Sequence, residues 1–264
     1  MPSRKRASSS SLSPPPTSEP EPKKSRTSSR SKSKPQTRHE PTDEFQQVTL
    51  PSFVDRWKVG DMGYGGDVYY QPDFIEAEEA QGWYDELLNL DTYQPTLKLY
   101  GRTFPQSRQI AAYSTVPDAT LSYSGSEITM HYPFPPILET IRKQLEEELG
   151  VRFNHCMLNR YDDGSVYIGK HSDNLNNLVI ASISLGAERR FIMSPRLPSK
   201  AGKQTMPTKE VEEELEARKN ISWILGNGSL VVMQGRTQEF WKHEIPKEPS
   251  IKQGRISLTF RQLV

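Results

Sequence analysis

The pattern of hydrophobic and polar positions divides the chain into a tail, a helical part and a series of strands. Residues 1–45 are dominated by Ser, Pro, Lys and Arg and contain few residues that could form a core. That composition predicts a disordered tail. Apolar residues recur regularly only further along, so a single domain is predicted over 50–264.

Two helices are predicted in the first half of the domain. Asp73 and Glu76 have the spacing of a capping box, which predicts a helix that continues to about Leu90. Its buried side would hold Ile75, Ala80, Trp83, Leu87 and Leu88. The second helix covers about 135–149, and Gly150 ends it. Its buried side would hold Leu138, Ile141, Leu145 and Leu149.

From residue 151 onward the pattern predicts strands. The segments are 152–160, 178–185, 189–194, 229–234 and 255–261. In the last segment the residues that alternate toward a buried face are Ile256, Leu258 and Phe260. The residues facing the other way are Arg255, Ser257, Thr259 and Arg261. Helices followed by antiparallel strands indicate an α+β fold with a mainly β core, consistent with a double-stranded β-helix (jelly-roll) and flanking helices.

Candidate metal chemistry lies in the second half of the chain. His171 and Asp173 are two positions apart, so in an extended segment both side chains point the same way. With His243 they give two imidazoles and a carboxylate, the facial set expected for non-haem Fe(II) that activates O2. A His-X-Asp pair also occurs by chance on protein surfaces. Arg255 and Arg261 favour the metal interpretation, because guanidinium groups on one strand face suit the two ends of a short dicarboxylate.

These residues together resemble a known family. Asn159, Tyr161, His171-X-Asp173, His243 and Arg255-X5-Arg261 look like the AlkB family of Fe(II)/2-oxoglutarate dioxygenases. The resemblance is nearest to the nuclear branch that repairs alkylated bases in duplex DNA. It extends from about Leu97 to Arg261 and includes the motifs Asn-Arg-Tyr-X-Asp-Gly (159–164), Ala-Ser-Ile-Ser-Leu-Gly-Ala (181–187) and Leu-Thr-Phe-Arg (258–261).

The resemblance implies a role for each part of this set. His171, Asp173 and His243 would hold Fe(II), and O2 would react there. The residues that would anchor 2-oxoglutarate are Asn159, Tyr161, Arg255, Thr259 and Arg261. The cosubstrate would become succinate while an N-methyl group is hydroxylated and lost as formaldehyde. No catalytic residue is expected beyond the metal centre, so the roles of Cys156, His131 and His155 are interpreted as structural.

Residues 97–125 resemble the nucleotide-recognition lid of the family. Tyr100 stands where the duplex-repair branch carries an aromatic wedge, although a strand aromatic packed on the core is equally compatible. Tyr123 matches an aromatic that stacks on the flipped base. Arg108 is assigned a phosphate contact.

One position departs from the family pattern and keeps alternatives open. Two residues after Asp173, repair members carry an acid that contacts the damaged base, whereas Leu175 stands here. Leucine cannot accept a hydrogen bond, so either Asn174 reads the base or the preferred base differs. The alternatives are a demethylase for RNA or another single strand, a binding module without activity and, less favoured, a protein hydroxylase.

Charge is unevenly distributed. Residues 1–40 contain ten Lys/Arg and three Asp/Glu, and the remainder contains 24 and 30. The tail has two short basic clusters, Arg4-Lys5-Arg6 and Lys23-Lys24-Ser25-Arg26, which predict nuclear import. DNA-binding domains are usually basic. An acidic run over 209–219, which holds five of these 30 Asp/Glu residues, is interpreted as a helix within a surface insertion predicted over 199–222, away from the site.

Few other partners are indicated. Gln47–Phe53 resembles a degenerate sliding-clamp peptide, although a linker running into the domain is the favoured interpretation.

The sequence has no apolar run of transmembrane length and no signal peptide, so a soluble intracellular protein is expected, without membrane contact. A lone Cys156 rules out an internal disulfide, as suits a reducing compartment. The protein is predicted to be a monomer that acts on alkylated DNA, with the duplex favoured.

Overall fold

The computed structural model describes residues 46–99, 102–123, 126–196 and 208–264. The predicted disordered tail, 1–45, therefore lies outside the described residues. Within the described ranges, no helix is long and apolar enough to cross a membrane.

The described part of the chain contains five helices. Their bounds are α1 Pro51–Trp57, α2 Ala77–Leu87, α3 Pro136–Leu149, α4 Lys209–Ala217 and α5 Thr237–Phe240. The prediction for α3 is confirmed, because the four residues assigned to its buried side are fully buried. Gly150 ends α3 in the left-handed region, with φ of 65°, where a residue without a Cβ is favoured.

The start of α2 was predicted wrongly. The helix begins at Ala77, and no side chain caps it, so Asp73 and Glu76 do not form a capping box. The preceding segment instead docks on the sheet, since the Ile75 backbone N–H donates to the Gly228 carbonyl at 3.0 Å. The helix ends at Leu87 rather than near Leu90.

Fourteen strands are described. In chain order they are β1 Gly66–Gln71, β2 Thr96–Leu99, β3 Arg102–Pro105, β4 Gln109–Ser114, β5 Thr120–Tyr123, β6 Ser126–Thr129, β7 His155–Tyr161, β8 Ile168–His171, β9 Asn177–Gly186, β10 Arg189–Pro195, β11 Ile221–Leu225, β12 Ser229–Gly235, β13 Trp241–Ile245 and β14 Arg255–Leu263. The five predicted strands are β7, β9, β10, β12 and β14. Helices do not all come first, because β1 precedes α2.

Two antiparallel sheets form the core. The larger has the order β1-β12-β9-β14-β7-β4, and the smaller has the order β11-β10-β13-β8. One hydrophobic cluster joins α2 and α3 to one face of the larger sheet. A second cluster lies between the sheets and joins Val231 and Met233 of β12 to Phe191 of β10 and Trp241 of β13. This arrangement confirms the mainly β, double-stranded β-helix fold with flanking helices.

Strand β14 separates these two environments, as its alternation predicts. Ile256, Leu258 and Phe260 have no exposed surface and pack in the cluster with the helices. The residues of the opposite face line a cavity between the sheets; they are Arg255, Ser257, Thr259 and Arg261.

Two small hairpins lie in the predicted lid. β2 pairs with β3, and β5 pairs with β6, on either side of β4 along the chain. Tyr100 falls between β2 and β3 but lies outside the described residues. Tyr123 is the last residue of β5, and its side chain likewise falls outside what the structure describes.

The clamp-like segment is packed into the domain. Val48 and Phe53 are 2% and 1% exposed, and the Val48 N–H donates to Gln234 Oε1 at 2.8 Å. Its aromatic side chain is therefore not presented to a partner in this conformation, which favours the linker interpretation.

The predicted insertion, 199–222, is described only from residue 208 onward. Its acidic run forms α4, and Leu215 is 2% exposed in the cluster between the sheets. Arg218 Nη1 donates to the Met62 carbonyl at 2.7 Å. Helix α4 therefore packs against the domain on the side that carries Leu215.

Candidate metal and cosubstrate site

The pairing of β8 with β13 brings the two predicted histidines together. His171 and His243 are direct partners in the register of these strands, and their ring centroids are 4.3 Å apart. Asp173 follows β8, and its Oδ2 lies 3.5 Å from His243 Nε2. Ligand atoms of all three residues lie within 4.8 Å of one another, close enough to contact a single ion.

The histidines are in the form that binds a metal. Burial lowers the pKa of His243 to about 3 and also lowers the pKa of His171, so both imidazoles are neutral at pH 7. His171 Nδ1 lies 2.9 Å from the Gly169 carbonyl. A carbonyl only accepts hydrogen bonds, so Nδ1 carries the proton and Nε2 keeps its lone pair.

Asp173 supplies the negative charge. Burial acts to raise its pKa, but Arg261 and the two histidines act more strongly in the opposite direction, so the pKa is lowered. The carboxylate is therefore ionised at pH 7. Two neutral imidazoles and a carboxylate fit a divalent transition metal.

The two predicted arginines leave buried donors available. Arg255 is 2% exposed, and its Nη2 donates to Ser184 Oγ at 2.8 Å. Arg261 Nη2 donates to Asp173 Oδ1 at 2.8 Å. Among the described residues, Arg255 Nε, Arg255 Nη1 and Arg261 Nη1 have no hydrogen-bond partner. Unpartnered buried donors are costly, so an anion with acceptor oxygens at both ends fits this space.

All the residues assigned to the metal and to 2-oxoglutarate line the same cavity. They are His171, Asp173, His243, Asn159, Tyr161, Arg255, Thr259 and Arg261. The Tyr161 ring lies 5.0 Å from Arg255 Cζ and 5.6 Å from Arg189 Cζ. Both distances are in the range of cation–π contacts, so two guanidinium groups restrict the position of the aromatic ring.

The structure gives contacts for two residues predicted to bind substrate, and both roles stay predictions. Arg108 is 6% exposed, lines the cavity and donates from Nε to Asn159 Oδ1 at 2.7 Å. It therefore orients Asn159 inside the cavity. Asn174 is exposed, and its Oδ1 accepts the Asn176 N–H at 3.3 Å.

Three side chains that sequence reasoning missed contact residues of the site. Ser184 orients Arg255, and Gln238 Oε1 accepts the Asp173 backbone N–H at 2.9 Å. Arg189 is the second arginine in contact with the Tyr161 ring. Ser184 had a detectable signal, since polar residues alternate with apolar ones in β9. Gln238 and Arg189 had none, because their contacts are distant in sequence.

Comparison with known proteins first defines the class. The sequence profile of the 2OG-Fe(II) oxygenase superfamily matches residues 67–261. These residues contain every side chain of the cavity described above. The solved structure of OsALKBH1 has the same fold, with a TM-score of 0.50 at 15% identity, covering 74% of this chain and 97% of that one.

Curated relatives narrow the class to one family. The DNA oxidative demethylase ALKBH2 of Arabidopsis thaliana is 32% identical, and the match covers 77% of this chain and 68% of the relative. The human alpha-ketoglutarate-dependent dioxygenase alkB homolog 3 is 31% identical, with 84% and 76% covered. The chain belongs to the AlkB family of Fe(II)/2-oxoglutarate-dependent dioxygenases. Its cofactor is Fe(II), and its cosubstrates are 2-oxoglutarate and O2.

Proposed function

We propose that this dioxygenase removes N-alkyl groups from bases in DNA, of the 1-methyladenine and 3-methylcytosine type. The observation that carries this proposal is the cavity that joins a metal triad to two arginines, in a chain similar to relatives named DNA oxidative demethylases. In this reaction O2 supplies one oxygen atom to the N-methyl carbon, which leaves as formaldehyde, and the other to 2-oxoglutarate, which gives succinate and CO2.

Each side chain of the cavity has one task in this proposal. His171, Asp173 and His243 hold the iron. Bound Fe(II), with 2-oxoglutarate and O2, supplies the oxidation, which no side chain here could perform. Arg261, which contacts Asp173, receives the cosubstrate carboxylate nearer the metal, and Arg255 receives the other.

Three polar or aromatic residues complete the cosubstrate site. Tyr161 restricts the position of Arg255 through ring contact. Asn159, held by Arg108, and Thr259 present polar groups along the cavity wall. Together they fix the direction in which a dicarboxylate can lie.

The hairpins within 97–125 are proposed to hold the nucleotide over the metal. Tyr100 and Tyr123 are assigned the wedge and stacking roles. We further propose that the protein acts as a monomer in the nucleus, on duplex DNA. The basic clusters of residues 1–45 support nuclear import and also phosphate binding.

A second candidate is demethylation of RNA or single-stranded DNA by the same chemistry. The observation in its favour is Leu175, which is 47% exposed two residues after Asp173 and offers no hydrogen-bond acceptor. Formaldehyde and succinate release distinguishes the candidates when measured on matched strands carrying 1-methyladenine or 3-methylcytosine. Coupled release that favours duplex DNA supports repair, whereas coupled release that favours RNA or single strands supports the alternative.

Asp173→Asn tests the metal assignment. An amide is a weaker ligand than a carboxylate of the same shape, so we expect bound iron and demethylation to fall by at least about 100-fold. The matched control is Asp162→Asn, at an exposed aspartate that does not line the cavity. Demethylation near the wild-type rate in Asp173→Asn would refute this ligand.

A further inference from the structure

A tyrosine and a lysine form an exposed pair beside the cavity. The Tyr167 side chain is exposed, with 39% of the residue accessible. Lys247 Nζ lies over its ring, 4.7 Å from the centroid. Neither residue belongs to the metal or cosubstrate site. An aromatic face next to an ammonium group is the combination that binds a base and its phosphate.

The pair lies on backbone segments, here called the rim, that adjoin the cavity wall. Tyr167 directly precedes Ile168, and Lys247 follows Ile245 by two residues; both isoleucines line the cavity. The Ser107 hydroxyl donates to the Tyr167 carbonyl at 2.6 Å and accepts the Tyr167 N–H at 3.2 Å. Ser107 in turn precedes Arg108, another lining residue. All three segments of the rim therefore continue directly into the cavity wall.

A buried arginine holds the backbone on which the Tyr167–Lys247 pair stands. Arg189 is 1% exposed, and its Nη2 donates to the Val166 carbonyl at 2.9 Å and to the Pro246 carbonyl at 2.6 Å. Val166 and Pro246 are the residues immediately before Tyr167 and Lys247. One guanidinium group thus joins the two backbone segments that carry the ring and the ammonium group, which preorganises the pair.

The nearby acid is already neutralised. Glu248, next to Lys247, accepts from Arg189 Nε at 3.3 Å and from the Arg190 backbone N–H at 2.9 Å. Lys247 itself is exposed. Its charge is therefore available to a phosphate, and the solvent side of the Tyr167 ring is available to a base.

We propose that Tyr167 and Lys247, on segments that adjoin the cavity wall, form a rim subsite for the nucleotide next to the one whose base enters the cavity. Tyr167 stacks on the neighbouring base, and Lys247 pairs with a backbone phosphate. This rests on the proposed nucleic-acid function and deepens it, because it gives the enzyme a reason to prefer a strand over a free nucleotide.

Binding of a fluorescent single-stranded 15-mer carrying 1-methyladenine tests the subsite. The full-length protein is measured with Fe(II) and 2-oxoglutarate in the absence of O2. We expect Tyr167→Ala to weaken binding at least about fivefold, the lower end of base–aromatic stacking. Tyr167→Phe should bind like wild type, because it keeps the ring. Equal loss in both variants, or none in Tyr167→Ala, would overturn the stacking role.

Salt dependence separates the lysine from the tyrosine. Loss of one phosphate contact on a single strand should make the slope of log affinity against log salt shallower by about 0.7. We expect this change for Lys247→Gln and not for Tyr167→Ala. The matched control is Lys143→Gln, at a lysine whose side chain is 70% exposed on α3. An unchanged slope in Lys247→Gln would overturn the phosphate role.

Turnover measurements distinguish an error in the subsite proposal from an error in the demethylase proposal. If wild type releases formaldehyde from the methylated strand and Tyr167→Ala does so with the same KM, the subsite is wrong and the demethylase proposal stands. If the subsite is correct, Tyr167→Ala raises KM for the 15-mer but not for the methylated mononucleotide. Absence of formaldehyde from every nucleic-acid substrate would refute the demethylase proposal, while the binding comparison would still decide whether Tyr167 contacts a strand.

Discussion

At the scale of single residues, Arg255 shows how a binding group is kept at the expense of stability. Its guanidinium is buried, and burial lowers its pKa. Two of its nitrogens have no partner among the described residues. A buried charge without full hydrogen bonding lowers the free energy of unfolding. An anionic ligand that pairs with the guanidinium offsets this cost when it binds.

Arg255→Met therefore has opposite effects on binding and stability. We expect the KM for 2-oxoglutarate to rise at least about tenfold, because a hydrogen bond to a charged group is worth about 1.5–3 kcal/mol. Without 2-oxoglutarate, the melting temperature should stay the same or rise, because an apolar side chain replaces an unpaired charge. Succinate release and thermal unfolding measure the two effects. A lower melting temperature with an unchanged KM would contradict this assignment.

His155 is a second buried group with a thermodynamic consequence. It has no exposed surface. Burial, with help from the positive charge of Arg261, lowers its pKa well below the ordinary 6.5. Below pH 6.5 the unfolded chain therefore binds a proton that the folded protein does not, and stability falls as the pH drops toward the folded-state pKa.

His155→Leu should remove this contribution. The free energy of unfolding, measured with urea between pH 7 and 5, should fall less steeply in the variant than in wild type. The difference in slope should approach about 1.4 kcal/mol per pH unit. Both proteins retain His171 and His243, so their contributions cancel in the comparison. Parallel pH curves would show that His155 does not titrate differently on unfolding.

At the scale of elements, β14 and α2 illustrate where local patterns succeed and fail. The alternation in β14 predicted both faces correctly because a side-chain period of two is imposed by the strand itself. The capping box before α2 was wrong because the backbone there bonds to Gly228, a residue far along the chain. A local signal is reliable only where no distant group competes for the same backbone.

Arg189 connects elements that the sequence keeps far apart. Besides Val166 and Pro246, its guanidinium reaches the carbonyl of Asp163 at 3.4 Å. Arg189→Met would remove the donor to the Val166 and Pro246 carbonyls, and we expect a loss of about 3 kcal/mol in the free energy of unfolding. Urea unfolding measures it.

The neighbouring arginine provides the control. Arg190 has a side chain that is 51% exposed and lies 4.0 Å from Glu248. Exposed pairs of this kind contribute little, so Arg190→Met should change stability by less than about 1 kcal/mol. Equal effects of the two substitutions would mean that Arg189 does not hold the loops.

At the scale of the whole molecule, we expect catalysis to depend on the domain and not on the tail. Removing residues 1–45 should change kcat on short oligonucleotides by less than roughly twofold, given the composition of that segment. Removing 1–57 should instead unfold the domain, because Val48 and Phe53 are buried in its core. Turnover and thermal unfolding of both truncations check this. Loss of activity in the shorter truncation would place the tail in the active site.

The sequence by itself determined the fold class, five core strands, α3 and a set of predicted metal and cosubstrate residues that line one cavity. The elements follow from periodicity, which is local, and the residue roles follow from a family resemblance carried by residue types at motif spacing. It also indicated two alternating faces on β14, of which one lines the cavity. It failed on the start of α2, and it gave no sign of the contact between Arg108 and Asn159, which is 51 residues away.

Only the tertiary structure decided how these residues meet. Pairing of β8 with β13 places His171 beside His243 although 72 positions separate them, and closure of the two sheets brings Arg261 to Asp173. Burial then sets the neutral histidines and the unpartnered arginine nitrogens. The Tyr167–Lys247 pair likewise depends on Arg189 joining two loops. Such contacts depend on chain closure over long separations, which no local pattern encodes.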